Sequence, residues 1–112
     1  MKTDSEQRAR LARMEAARVE TERHLAIIER QIAARAERIT ISTYVKTRHF
    51  GLATSRWSPV DERQFQETLA ALRFERRVEI DALASKLVRQ ASAIAAFRLR
   101  HGISAAPEEI TS

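Results

Sequence analysis

Between Ser58 and His101 the apolar residues Phe65, Leu69, Leu72, Ile80, Leu83, Leu87, Ile94 and Phe97 recur at helical spacing and form one stripe. A second set, Ile80, Ala84, Val88, Ala91, Ala95 and Leu99, runs beside it in the C-terminal half. The apolar arc there is wider than one partner helix needs. The ends of the stretch carry stop and start signals. Ser58 suits an N-cap, Pro59 suits the first helical position, and Asp61 and Glu62 complement the positive end of the helix dipole. At the far end Arg98, Arg100 and His101 complement the negative end, Gly102 supplies a left-handed residue, and Ile103 is placed to fold back on the last turn. With no Gly or Pro between the caps, the pattern predicts one helix over about 58–101. Arg76 interrupts the stripe between Leu72 and Ile80. Its stem can pack while its head reaches water, or it can pair with Glu75, Glu79 or an acid on another helix.

The N-terminal stretch reads as a second long helix. Leu25, Ile28, Ile32 and Ile39 follow the 3-4 spacing of a coiled-coil seam. Traced backwards, the seam meets Thr21, Arg18, Met14 and Leu11 and turns polar in its middle. Alanines 9, 12, 16 and 17 form a thin alternative face, and Ile27 lies off the seam as the mark of a second contact. Over residues 39–57 the β-branched density rises. Ile39 to Val45 can be read as extended chain, but a lone strand has nothing to pair with, so the helix is expected to run to about residue 48.

The expected architecture is therefore all-α: helix over about 5–48, a connection over about 49–57, helix over about 58–101, and a mobile tail over 103–112, all in one domain of residues 1–112. Two long helices with a short connection fold back as an antiparallel, coiled-coil-like hairpin. Two helices alone leave apolar stripe in water. A four-helix bundle formed by dimerisation resolves this, as does a hairpin completed by another helical protein. The expected oligomer interface comprises Leu25, Ile28, Ile32, Ile39, Leu69, Leu72, Ile80, Leu83, Leu87, Val88, Ile94 and Phe97.

Composition narrows the classes. Gly and Pro number two each among 112 residues and 31% of the chain is charged, which suits a helical protein. Cysteine is absent, which removes disulfides, thiolate metal sites and cysteine catalysis and fits a reducing, cytoplasmic setting. No apolar run approaches the roughly 20 residues of a membrane span, and the charged N-terminus lacks the apolar core of a signal peptide. A membrane-surface helix is disfavoured because the polar faces carry many acids.

The net charge of +5 is unevenly placed. Residues 41–60 hold Lys46, Arg48 and Arg56 and no acid. Together with Tyr44, His49, Phe50 and Trp57 these cations make a candidate partner-binding cluster at the joint. Cations interleaved with aromatics suit phosphates and stacked bases, and Trp and Arg also anchor protein interfaces. The plainer reading is that Trp57 and Phe50 plug the end of a bundle. Arg98, Arg100 and His101 with Arg8, Arg10 and Arg13 form a second basic region.

Catalytic and metal-binding chemistry is not expected. His24, His49 and His101 lie far apart, Glu20 with His24 is the nearest approach to a ligand pair, and there is no Gly-rich phosphate loop. Ser42, Thr43 and Ser92 have no neighbouring base in sequence. No cofactor is expected. The reading is a non-enzymatic helical interaction module, working as a homodimer or as a subunit of a larger assembly. The alternative is a small basic accessory protein that contacts the phosphate backbone of DNA or RNA. That contact would be poorly specific, since no tight helix-turn-helix is present.

Overall fold

A computed structural model describes residues 3–47 and 57–103, and every element in it is helical. Helix α1 spans Asp4–Thr47, α2 spans Pro59–Glu75 and α3 spans Arg77–His101. The start of α1 is set by a reciprocal cap. The Glu6 N–H donates to Thr3 Oγ1 at 3.1 Å and the Thr3 N–H donates to Glu6 Oε1 at 2.9 Å. The Thr-x-x-Glu spacing of residues 3–6 carried that signal, and the helix begins slightly earlier than its apolar pattern implies. At the other end α1 continues through the β-branched residues to Thr47. Thr40 and Thr43 donate their hydroxyls to the carbonyls of Ala36 and Ile39 at 2.9 and 3.0 Å, so their polar groups are satisfied within the helix.

The expected helix over 58–101 is divided. Arg76 leaves helical geometry at φ −105° and ψ 18°, and α3 begins at the next residue. Propensity does not explain the break, because arginine is a good helix former. Side-chain contacts accompany it. Arg76 donates to Glu79 Oε1 from Nε at 3.1 Å and from Nη2 at 2.8 Å, and its Nη1 donates to Gln31 Oε1 on α1 at 3.1 Å. The Arg76 N–H is shared between the carbonyls of Leu72 and Arg73. The C-terminus of α3 closes as the pattern implied, with Gly102 at φ +64°. The N–H of Ile103 donates to Arg98 O at 2.8 Å and that of Gly102 to Leu99 O at 3.4 Å, the two bonds of a Schellman motif.

The chain forms two compact units, one of Met1–His24 with Ala82–Ser112 and the other of Leu25–Asp81. In the first, Leu11, Ile94 and Phe97 make a small core, with Met14 and Ile103 packed against it. Arg98 pairs with Glu15 beside this core, and the Arg10 guanidinium lies 5.7 Å from the centre of the Phe97 ring. The polar middle of the seam has a structural counterpart: Arg18 Nε, Gln90 Oε1 and Arg98 Nε are buried atoms without a hydrogen-bond partner.

In the second unit Ile28, Ile32, Ala36 and Leu72 are buried, and Thr40 and Asp61 are buried polar residues. Arg73 on α2 pairs with Glu29 on α1 at 3.0 Å. The seam differs from expectation here. Ile39 is 37% exposed, while Ala36 and Thr40 are fully buried. Four-residue steps from Ile32 replace the 3-4 alternation. A straight helix turns about 100° per residue, so a strict heptad line slides off the buried side and a four-residue step brings it back.

Candidate functional site

The joint cluster is only partly described. Arg48, His49, Phe50 and Arg56 lie outside the described residues. Lys46 lies in the last turn of α1, and Tyr44, two residues earlier, is half-buried. Trp57 is 44% exposed. It leads into α2, where Ser58 and Asp61 form a full capping box: the Asp61 N–H donates to Ser58 Oγ at 3.2 Å and the Ser58 N–H to Asp61 Oδ2 at 2.7 Å. This cap fixes the entry of the chain and places the indole over the first two turns. The Trp57 ring meets Phe65 edge-on at 6.2 Å, and its N–H donates to Glu62 Oε1 at 2.9 Å. Glu62 also accepts from Gln66 Nε2 at 2.8 Å. Hydrogen bonds from Gln66 and then Trp57 favour the ionised carboxylate and hold its pKa below the ordinary value. The described half of the joint is thus an aromatic tied to its own helix, with one face in solvent.

The residues expected at an oligomer interface fall into three groups. Ile28, Ile32, Leu72, Ile94 and Phe97 are buried within the chain's own units. Leu25, Leu69, Ile80, Leu83 and Leu87 are half-buried, and Ile39 and Val88 are exposed. The second apolar set on α3 remains at the surface over most of its length. Val88 is 66% and Leu99 86% exposed, and Ala84, Ala91 and Ala95 are exposed between them. On α1, Ile27, Ile41 and Val45 are exposed as well, at 37, 46 and 55%.

Two surface features escaped the sequence reading. Phe74 and Val78 flank the break at Arg76 and are 63 and 75% exposed. Their omission from the inward stripe was the available signal. Beside the same break, Arg35, Arg38 and Arg76 line a surface cavity of about 180 Å³ with Ile32, Leu72 and Glu75. The heptad pattern alone places these cations on no common feature.

Other candidates are accounted for by local contacts. Glu20 pairs with Arg23 at 2.8 Å, and His24 is exposed. His101 lies against Phe97, ring centres 4.3 Å apart, and lines a hollow with Asp4, Arg8 and Ile103. That hollow joins part of the second basic region to the N-terminus of α1. Among the described residues no three His, Asp or Glu side chains come together as metal ligands, and no helix is long and apolar enough to cross a membrane. No family model, characterised protein or solved structure matches the chain.

Proposed function

We propose that the protein is a non-enzymatic helical interaction module that works as a homodimer or as a subunit of a larger assembly, in a cytoplasmic setting. In this reading the chain is one domain, an antiparallel hairpin with α1 as one arm and α2 with α3 as the other. A second copy completes a four-helix bundle. The observation that carries it is the apolar face of α3. Ala84, Val88, Ala91, Ala95 and Leu99 are exposed together, next to the stripe that buries Ile94 and Phe97.

Magnitudes decide how far that face goes alone. Burying a Val or Leu side chain contributes about 1.5–3 kcal/mol. Val88 and Leu99 from two copies then give at most about 6–12 kcal/mol, before an association cost of about 4–15 kcal/mol. The α3 face by itself supports a marginal dimer. The exposed Ile27, Ile41 and Val45 on α1 and Phe74 and Val78 at the break supply further apolar surface to the same end.

The test is the mass in solution by light scattering coupled to size exclusion, at low and high salt with absorbance read at 260 nm. The expected species has about twice the 12.8 kDa of the chain, and Val88→Glu with Leu99→Glu reduces it to a monomer of unchanged helicity. A well-folded wild-type monomer overturns the homodimer. The concentration of cations without acids in residues 41–60 favours the second reading, a nucleic-acid accessory protein. Co-eluting nucleic acid shed at high salt establishes that reading instead.

A further inference from the structure

We infer that the cavity beside the α2–α3 break is a binding site for a phosphate-type oxyanion, held by Arg35 and Arg38 of α1. Both residues line the same cavity of about 180 Å³, roomy enough for a tetrahedral anion with its waters. They are three residues apart on a helix, hence neighbours on one face. What sets them apart from the other arginines is the cavity lining that they share with Arg76. Arg23, Arg73, Arg76 and Arg98 each hold a glutamate, but Arg35 and Arg38 enter no ion pair among the described residues. Two like charges kept side by side without an acid repel each other, and an anion shared between them removes that repulsion.

The surroundings strengthen the case. Ile32 and Leu72, 3 and 5% exposed, form an apolar floor. Such a floor displaces water, and charge–dipole and charge–charge interactions grow as the local dielectric falls. The third arginine of the lining acts as a wall. Arg76 is already committed to Glu79 and Gln31, and its fork is held in place by those bonds. It contributes positive potential and rigidity, while Arg35 and Arg38 provide the free donors. The planar forks of arginine match a phosphate through paired N–H bonds better than a point cation would. Glu75, also in the lining, is in ion-pair range of none of the three, so its charge opposes the anion. The site would therefore bind more tightly without it.

The two sources of such a group are a terminal phosphate and a phosphodiester. The experiment follows the arginine Nε–H signals by NMR during titration with inorganic phosphate and, separately, dimethyl phosphate, at constant ionic strength set with chloride. The expected result is saturable movement of the Arg35 and Arg38 signals. Either Arg35→Gln or Arg38→Gln weakens it about tenfold, the scale of one charged hydrogen-bonding pair, and Glu75→Gln tightens it severalfold. Both arginines are exposed, so circular dichroism of the double variant should match wild type. Response to inorganic phosphate alone supports the site and assigns it to a terminal phosphate; response to both supports it and admits a phosphodiester. Shifts spread over all arginines and reproduced by chloride overturn the site. So does phosphate affinity that survives the double substitution. The face on α3 shares no residue with the cavity, so repeating the titration on the Val88→Glu, Leu99→Glu variant separates the two readings: the dimer is lost and the phosphate response is kept.

Discussion

The guanidinium of Arg77 sits 3.9 Å from the centre of the Phe74 ring and donates to the carbonyl of that same residue at 2.9 Å. One side chain thus covers an exposed aromatic face and satisfies a carbonyl at the point where α2 stops. With Arg76 bound to Gln31 and Glu79, it holds the interruption open. The variant Arg76→Ala with Arg77→Ala should restore helical geometry at position 76, seen as a helical carbon chemical shift there. Because these groups are largely in solvent, the stability change should stay within about 1 kcal/mol. An unmoved shift at position 76 would show that packing, and not these contacts, makes the break.

Ser58→Ala should cost about 1 kcal/mol, within a usual range of about 0.5–2. The substitution removes the acceptor for the Asp61 N–H and leaves the buried Asp61 carboxylate without the Ser58 hydroxyl, 2.8 Å away. Denaturant unfolding measures it. A loss below a few tenths of a kcal/mol would mean that water replaces the cap.

The four-residue seam steps predict a contrast between two isoleucines on one helix. Ile28→Ala should cost about 2–5 kcal/mol, since Ile28 is 2% exposed. Ile39→Ala, at a site 37% exposed, should cost well under half as much. A strict heptad seam would make the two losses similar.

Arg18 Nε and Gln90 Oε1 are buried without partners. Replacing both residues by leucine should stabilise the folded chain by about 1–3 kcal/mol, because an unmet buried polar group costs about that much. Equal or lower stability would indicate that these atoms find water.

Glu62 gives the pH dependence its sign. Its folded pKa lies below its ordinary value of 4.5, with the bonds from Gln66 and Trp57 as the cause. Its contribution is therefore fully present above the unfolded value and is lost as pH falls through the lower folded one. The Trp57 indole N–H resonance should report this directly, shifting in acid with a midpoint below 4.5. A midpoint at or above that value would show that the Trp57–Glu62 bond does not form in solution.

Helix identity and helix ends were legible in the sequence because caps are local. Ser58, Pro59 and Asp61 at one end and Gly102 with Ile103 at the other state their roles within a few residues. The break at Arg76 was not legible, since one of its determinants, Gln31, lies 45 positions away. Nor was the exchange of Ile39 for Ala36 and Thr40, where a larger apolar residue yields to smaller ones for reasons of helical phase. Of the candidate site, Trp57 could be read as an aromatic at a helix entry, but its hold on Glu62 and Phe65 required coordinates. The Arg35–Arg38 cavity needed α2 to supply its floor and was invisible to periodicity.

The shift of step along α1 also governs which length changes the helix will accept. From Leu11 to Ile32 the inward line moves by three heptads and lags by roughly 60°; the next two steps, to Ala36 and Thr40, advance it by roughly 80°. Lag and lead nearly cancel, so on ideal helix geometry the two four-residue steps bring the line back to within roughly 20° of where the heptads began. Inserting a single residue in the middle of α1 would rotate everything beyond it by about 100° and carry Thr40 out to the surface. Inserting four would rotate it by about 40° and leave Thr40 close to the buried side. Length variation in this helix is therefore tolerated in units of a turn and rejected in units of a residue.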